Sequence, residues 1–169
     1  MNASDLASRI DHTLLKPEAV PESIDRLCEE AGRYGFVAVC VNPIWVARCA
    51  RNLTGTNVRV ASVVGFPLGA SRTDTKVDET HRAIDDGATE IDMVLRVGDL
   101  IAGNISVVRD DIAAVVDLVH AASPDHELKV IIGTAALGRD QILAACRCCA
   151  EAHADFVKTS TGFHPAGGA

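Results

Sequence analysis

At 169 residues the chain is long enough for one substantial hydrophobic core. Hydrophobic residues make up 48% but aromatic residues only 4%, so Ala, Val, Ile and Leu carry the apolar mass, which suits helices packed on a sheet better than a β-sandwich. A formal net charge of -7 without a basic cluster excludes nucleic acid as a main partner; an anionic substrate must be held by backbone amides and a few local cations.

The opening Met1-Asn2-Ala3-Ser4-Asp5 leads into a mixed polar segment, not the apolar core of a secretory signal, and no apolar run approaches the ~18 residues of a membrane span. The chain therefore reads as cytoplasmic, with no membrane partner. Of six cysteines, Cys28, Cys40 and Cys49 are scattered, while Cys146, Cys148 and Cys149 crowd one predicted helix. Helix neighbours seldom pair and a reducing compartment keeps thiols free, so no disulfide is expected. No second cluster of Cys or His has ligand spacing, and no metal is expected either.

In chain order, a short helix over Asp5 to Ser8 precedes a strand around Ile10 to Leu14. Pro21 starts a helix to about Tyr34, with Ile24, Leu27, Cys28 and Ala31 on one face and Gly35 as its stop. Phe36 to Val41 is apolar on both faces, as a strand covered by helices should be, and Asn42-Pro43 closes it. A helix from about Ile44 to Leu53 leads to a third strand, Val58 to Val64. After a polar loop comes a helix over Asp74 to Asp86, then strand four, Thr89 to Leu95. Gly98 to Gly103 reads as a connector, followed by an amphipathic helix from Ser106 to Ala121. Strand five is Leu128 to Ile132, a helix covers Asp140 to Glu151, and strand six is Ala154 to Lys158.

Six strands alternating with helices imply an α/β protein with a parallel sheet and right-handed crossovers, in one domain over 1–169. The pattern fits either an open doubly wound sheet or a (β/α)8 barrel. Strand residues alternate sides, so Lys158 shares a face with Phe156, Asp92 with Glu90 and Val94, and Lys129 with Ile131. Strand two puts Ala38, Cys40 and Asn42 opposite Val37, Val39 and Val41. Charges on those faces would be buried and unpaired under helices in the open sheet, at several kcal/mol each. Inside a barrel they can meet, and the barrel is the expectation.

The stretch Asp155-Phe156-Val157-Lys158-Thr159-Ser160-Thr161-Gly162-Phe163 ends an apolar strand on a lysine and opens into hydroxyls and a glycine. A lysine at the end of a buried strand is costly to keep charged, which favours the neutral amine that a Schiff-base nucleophile requires. The plain alternatives are a lysine that has reached solvent and, for Lys158, Asp92 and Lys129 together, a structural ion-pair network.

With these residues in hand, the sequence resembles the deoxyribose-phosphate aldolase family, class I aldolases on a TIM barrel. The carriers are Ile10-Asp11-His12-Thr13-Leu14-Leu15, Val39-Cys40-Val41-Asn42-Pro43, Val64-Gly65-Phe66-Pro67-Leu68-Gly69, Glu90-Ile91-Asp92-Met93-Val94, Leu128-Lys129-Val130-Ile131-Ile132 and the Lys158 stretch. The resemblance implies reversible cleavage of 2-deoxy-D-ribose 5-phosphate to acetaldehyde and D-glyceraldehyde 3-phosphate, without cofactor or metal. By the same resemblance Lys158 is the Schiff-base lysine, Asp92 the acid/base carboxylate working through an ordered water, and Lys129 a second active-site lysine whose ammonium would lower the amine pKa of Lys158. Asp11, Cys40, Asn42 and Thr159 stand as candidate substrate-side residues, although Cys40 also reads as a small packed lumen residue. Gly162, Gly167 and Gly168 resemble backbone donors near the substrate phosphate. The implied partners are a small phosphorylated sugar and, at most, further copies of the chain.

The sequence departs from the family at Gly133-Thr134, where Glu-Thr is common, and at Arg96, where Asn is usual. It also ends at Ala169, where family members continue into strands seven and eight. The expectation is an incomplete barrel of six βα units with strands one and six as open edges. Loss of preorganised phosphate donors would then reduce activity by ~10²-fold or more. The readings that stand beside an active enzyme are an impaired fragment that persists by self-association and a barrel acting on another carbonyl substrate.

Overall fold

The computed structural model describes residues 2–167. Among them six parallel strands form one sheet in the order β1-β2-β3-β4-β5-β6. That order decides between the two architectures. An open doubly wound sheet reverses its strand order at a switch point, whereas a barrel adds each new strand beside the last. The strands are β1 Asp11–Leu14, β2 Ala38–Val41, β3 Arg59–Val64, β4 Glu90–Val94, β5 Glu127–Ile131 and β6 Phe156–Lys158. Helices α1 Ala3–Ala7, α2 Pro21–Tyr34, α3 Val46–Asn52, α4 Thr73–Asp85, α5 Val97–Ile101, α6 Ile105–Ala122 and α7 Arg139–Glu151 alternate with them.

The chain divides into two compact units. The first runs to Val63 and includes Ala83–Glu90. Its helix α2 begins on Pro21, whose missing N–H costs nothing at that position, and ends on Gly35 at φ 71°, the left-handed conformation glycine adopts freely. Ile24, Leu27, Cys28 and Ala31 form its buried face, at positions i, i+3, i+4 and i+7 of the helix. Every residue of β2 is buried, and its register sets Asp11 opposite Ala38 and Thr13 opposite Cys40. The second unit comprises Val64–Arg82 and the residues from Ile91 onward. Its long helix α6 buries Val108, Ile112, Val115, Val116 and Val119.

Several expected boundaries shift, and in three cases a helix cap is the reason. Phe36 was expected in β2 and Ala154 in β6, but the Phe36 N–H bonds the carbonyl of Ala31 and the Ala154 N–H that of Cys149. Both donors complete the preceding helix, so each strand starts two residues late. The first helix begins at Ala3, not Asp5, because Asn2 caps it: the Asn2 side chain accepts the Asp5 N–H at 2.9 Å and the Asp5 carboxylate accepts the Asn2 N–H at 3.0 Å. The expected connector after β4 is helix α5, fastened by an Arg96–Asp99 ion pair at 2.6 Å and a buried Leu100. The expectation of a buried β6 is corrected as well: Phe156 is 49% exposed, for β6 is last in the sheet order and pairs only with β5 among the described strands.

Candidate active site

Three strands of the second unit build the site. Asp92 lies in the middle of β4 and is 1% exposed, while Ile91 and Met93 on either side of it are buried on the opposite face. Lys129 on β5 is 7% exposed, and its Nζ lies 3.3 Å from Asp92 Oδ1. The second oxygen, Oδ2, accepts a short hydrogen bond from Lys158 Nζ. One buried carboxylate thus serves two amines, one on each oxygen. The register of β5 on β6 pairs Lys129 with Phe156 and Ile131 with Lys158, so Lys158 stands two residues further toward the C-terminal end of the sheet than the position opposite Lys129.

Accessibility separates the two lysines. The Lys158 side chain is 32% exposed and can meet a molecule from solvent, whereas the Lys129 side chain is 9% exposed and is enclosed with Asp92. With both amines protonated the cluster carries a net positive charge, and release of one proton leaves it neutral. A cluster arranged in this way tolerates a neutral, nucleophilic Lys158 without stranding a buried charge.

The backbone around Lys158 is held at both ends. Its carbonyl accepts the Ile132 N–H at 3.0 Å, and the Thr159 carbonyl accepts the Thr134 N–H at 2.9 Å. Before β6, the Asp155 carboxylate accepts the Leu128 N–H at 2.7 Å and contacts the His120 ring at 3.0 Å. Past the strand, the Thr134 and Ser160 hydroxyls are 3.3 Å apart, and the Phe163 ring meets Phe66 edge-on with centroids at 5.2 Å. Gly162 takes φ +79° and Gly167 φ +91°, conformations that favour glycine. Gly168 lies outside the described residues.

The structure therefore brings Lys158, Asp92 and Lys129 together, with Thr159 and Gly162 following on the same segment. Asp11, Cys40 and Asn42 belong to the first unit. There Cys40 is buried, and the Asn42 amide donates to the Leu15 carbonyl at 3.2 Å, tying the end of β2 to the loop after β1. The rings of His12 and His120 are engaged with Glu30 at 2.8 Å and Asp155 at 3.0 Å. Sequence reasoning missed the Phe66–Phe163 contact, since nothing in the spacing of two loop aromatics signals that they meet. No group of His, Cys, Asp or Glu among the described residues could hold a metal ion.

A family model described as "DeoC/LacD family aldolase" matches residues 6–167. The chain belongs to that family. The chain is 52% identical over 158 residues to a deoxyribose-phosphate aldolase of Brevibacillus brevis, an alignment that takes in 94% of this chain and 70% of the relative. It is 50% identical to deoxyribose-phosphate aldolase 1 of Oceanobacillus iheyensis, over 96% of this chain and 72% of that protein. A solved structure from Coccidioides immitis superposes with a TM-score of 0.91 at 44% identity, covering 97% of this chain. The chain spans 63% of the length of that structure. By family it is a carbon–carbon lyase. No helix is long and apolar enough to cross a membrane among the described residues.

Proposed function

We propose that this chain carries deoxyribose-phosphate aldolase activity, the reversible cleavage of 2-deoxy-D-ribose 5-phosphate to acetaldehyde and D-glyceraldehyde 3-phosphate. The observation that carries the reading is the shared carboxylate: Asp92 hydrogen-bonds Lys158 and Lys129, the more exposed amine being the one placed to react. The Lys158 amine adds to the substrate aldehyde, and loss of water gives the imine. Removal of the C3 hydroxyl proton breaks the C2–C3 bond, and its electron pair moves into the protonated imine to leave an enamine. Glyceraldehyde 3-phosphate departs, the enamine is protonated, and hydrolysis returns the lysine with acetaldehyde. Asp92 exchanges the protons these steps demand, and Lys129 keeps its carboxylate oriented.

Asp11, Cys40, Asn42 and Thr159 are proposed to line the substrate side, with Gly162, Gly167 and Gly168 as backbone donors to the phosphate. A structure from Aeropyrum pernix, 31% identical with a TM-score of 0.89, is described as a tetrameric deoxyribose phosphate aldolase, which supports self-association of this chain as well. A cytoplasmic setting is part of the proposal.

Borohydride reduction in the presence of deoxyribose 5-phosphate tests the assignment. A reduced adduct on Lys158 blocks trypsin there, so the fragment that begins at Cys148 should read through position 158 with the added mass. An adduct on Lys129 instead, or none on folded protein, would sink the reading. Faster turnover of ketose bisphosphates would redirect it to another carbonyl substrate.

A further inference from the structure

The loop after β3, residues 65–69, takes no part in the proposed aldol chemistry, yet it is anchored at both ends. Helix α4 reaches it with two side chains one turn apart on the same face. Glu79 accepts the Gly65 N–H at 2.8 Å. The stem of Lys76, whose amine is bound to Val94 and Asp111, lies so close that a Cβ on Gly65 would fall 2.9 Å from Lys76 Cε. At its far end the loop closes on itself, the Gly69 N–H donating to the Gly65 carbonyl at 2.8 Å. Phe66 is therefore mounted on a fixed base, and its ring meets Phe163 edge-on, with centroids at 5.2 Å and planes at 86°. Up to Ser160 the segment after Lys158 is tied to the end of β5, through the Thr134 N–H on the Thr159 carbonyl and the Thr134 hydroxyl beside that of Ser160. From Thr161 on, its hydrogen bonds among the described residues stay local: the Phe163 N–H donates to the Thr161 hydroxyl at 3.1 Å, and the Gly167 N–H to the His164 carbonyl at 2.9 Å. Phe163 is 47% exposed, so burial alone does not fix it. The ring of Phe66 supplies the hold from outside the segment.

We propose that Phe66 is a positioning residue for the phosphate end of the substrate: its ring fixes Phe163, and with it the turn that carries the Gly162 N–H. The inference rests on the aldolase reading, in which Gly162 is one of the backbone donors to the phosphate. A backbone N–H stabilises a phosphate oxygen best when it is already aimed, because a donor on a loose segment must first give up conformational freedom. Gly162, at φ +79°, has more of that freedom to lose than any residue with a side chain, so the turn needs an outside contact to stay in one conformation. An edge-on aromatic pair meets that need, since the positive edge of one ring on the negative face of the other sets an orientation as well as a distance. An aliphatic side chain would fill the same space without setting the angle. The consequence is selective. Phosphate recognition depends on Phe66, whereas imine formation does not, for Lys158 lies on β6 with its carbonyl held by the Ile132 N–H.

The test compares 2-deoxy-D-ribose 5-phosphate with unphosphorylated 2-deoxy-D-ribose on the whole chain, following the borohydride-reduced adduct on Lys158 against sugar concentration. The wild-type chain should half-saturate at a lower concentration of the phosphorylated sugar. Phe66→Leu should raise that concentration by about 10-fold or more while leaving the unphosphorylated sugar within about 2-fold of wild type, and Phe66→Tyr, which keeps the ring, should restore the preference. Phe163→Leu should reproduce the loss, and the double variant should lose no more than either single one. Equal losses for both sugars in Phe66→Leu, or no loss for either, would overturn the proposal, as would additive losses in the double variant. A wild-type chain that forms the adduct but does not distinguish the sugars would overturn it too, with the aldolase reading left standing. No adduct on Lys158 with either sugar would bring down the aldolase reading and the inference with it. Should Phe66→Leu not fold, Phe163→Leu, a change at a half-exposed side chain, decides by the same comparison.

Discussion

Lys76 and Asp111 meet at 2.6 Å with neither side chain reaching solvent, and the lysine also donates to the Val94 carbonyl at 2.9 Å. Thr73 completes the group by donating to the other Asp111 oxygen at 2.7 Å. Helices α4 and α6 are thereby fastened to β4 two residues beyond Asp92. Burial pushes the Lys76 amine down, and the Asp111 carboxylate pulls it back.

Lys76→Met leaves Asp111 buried without its cation and should destabilise the protein by about 3–5 kcal/mol in urea unfolding, while the double change Lys76→Met with Asp111→Leu should recover most of that loss. A double variant no more stable than the single one would mean that the pair itself, and not the stranded charge, supplies the stability.

Gly69 is fixed by a close approach of backbone to backbone. At φ +67° a side chain is already strained, and a Cβ there would fall 2.0 Å from the Leu95 carbonyl oxygen. Gly69→Ala should cost about 1–3 kcal/mol from the backbone conformation alone, and more once the loop moves off β4. A midpoint in denaturant unchanged from wild type would show that the loop yields without cost.

Period and punctuation made much of the fold legible. Helix α2 stands where Pro21 and Gly35 bracket an apolar face, and alternation on β4, β5 and β6 was enough to put Asp92, Lys129 and Lys158 on like faces. Two kinds of information were hidden. Where a strand follows a helix directly, hydropathy cannot tell that Phe36 and Ala154 spend their N–H groups on the cap. Contacts between distant segments were hidden too. Lys76 lies in the polar run Thr73-Asp74-Thr75-Lys76-Val77-Asp78-Glu79, which reads as a solvated face, and the buried Asp111 that explains it lies 35 residues on.

Acid should test the Asp25–Arg48 bridge. The guanidinium of Arg48, with the Asn52 amide, holds the Asp25 carboxyl at about 2 against an ordinary 3.8. Between those values the unfolded chain binds a proton that the folded one does not, so stability falls as pH drops through that window and is fully present above it. Asp25→Asn should flatten the pH dependence of the denaturation midpoint there, and the difference should shrink in high salt because the pair is partly exposed. An identical acid slope in both proteins would place the linkage on other carboxylates.

Asp92 and Lys158 carry separable parts of the proposed reaction, and two variants should separate them. Lys158→Arg keeps a cation beside Asp92 but remains protonated, so it should fold, give no borohydride adduct and show no turnover above background. Asp92→Asn retains the nucleophile and loses the proton carrier. Imine should still be trapped, more slowly, while turnover falls by about 10²–10⁴-fold. The same change removes a carboxylate charge 3.3 Å from the nearly buried Lys129, so some loss of stability should accompany it, read by thermal unfolding alongside the kinetics. Near-normal turnover in Asp92→Asn would remove that carboxylate from the chemistry and reduce the three-residue cluster to an ion pair that holds β4, β5 and β6 together.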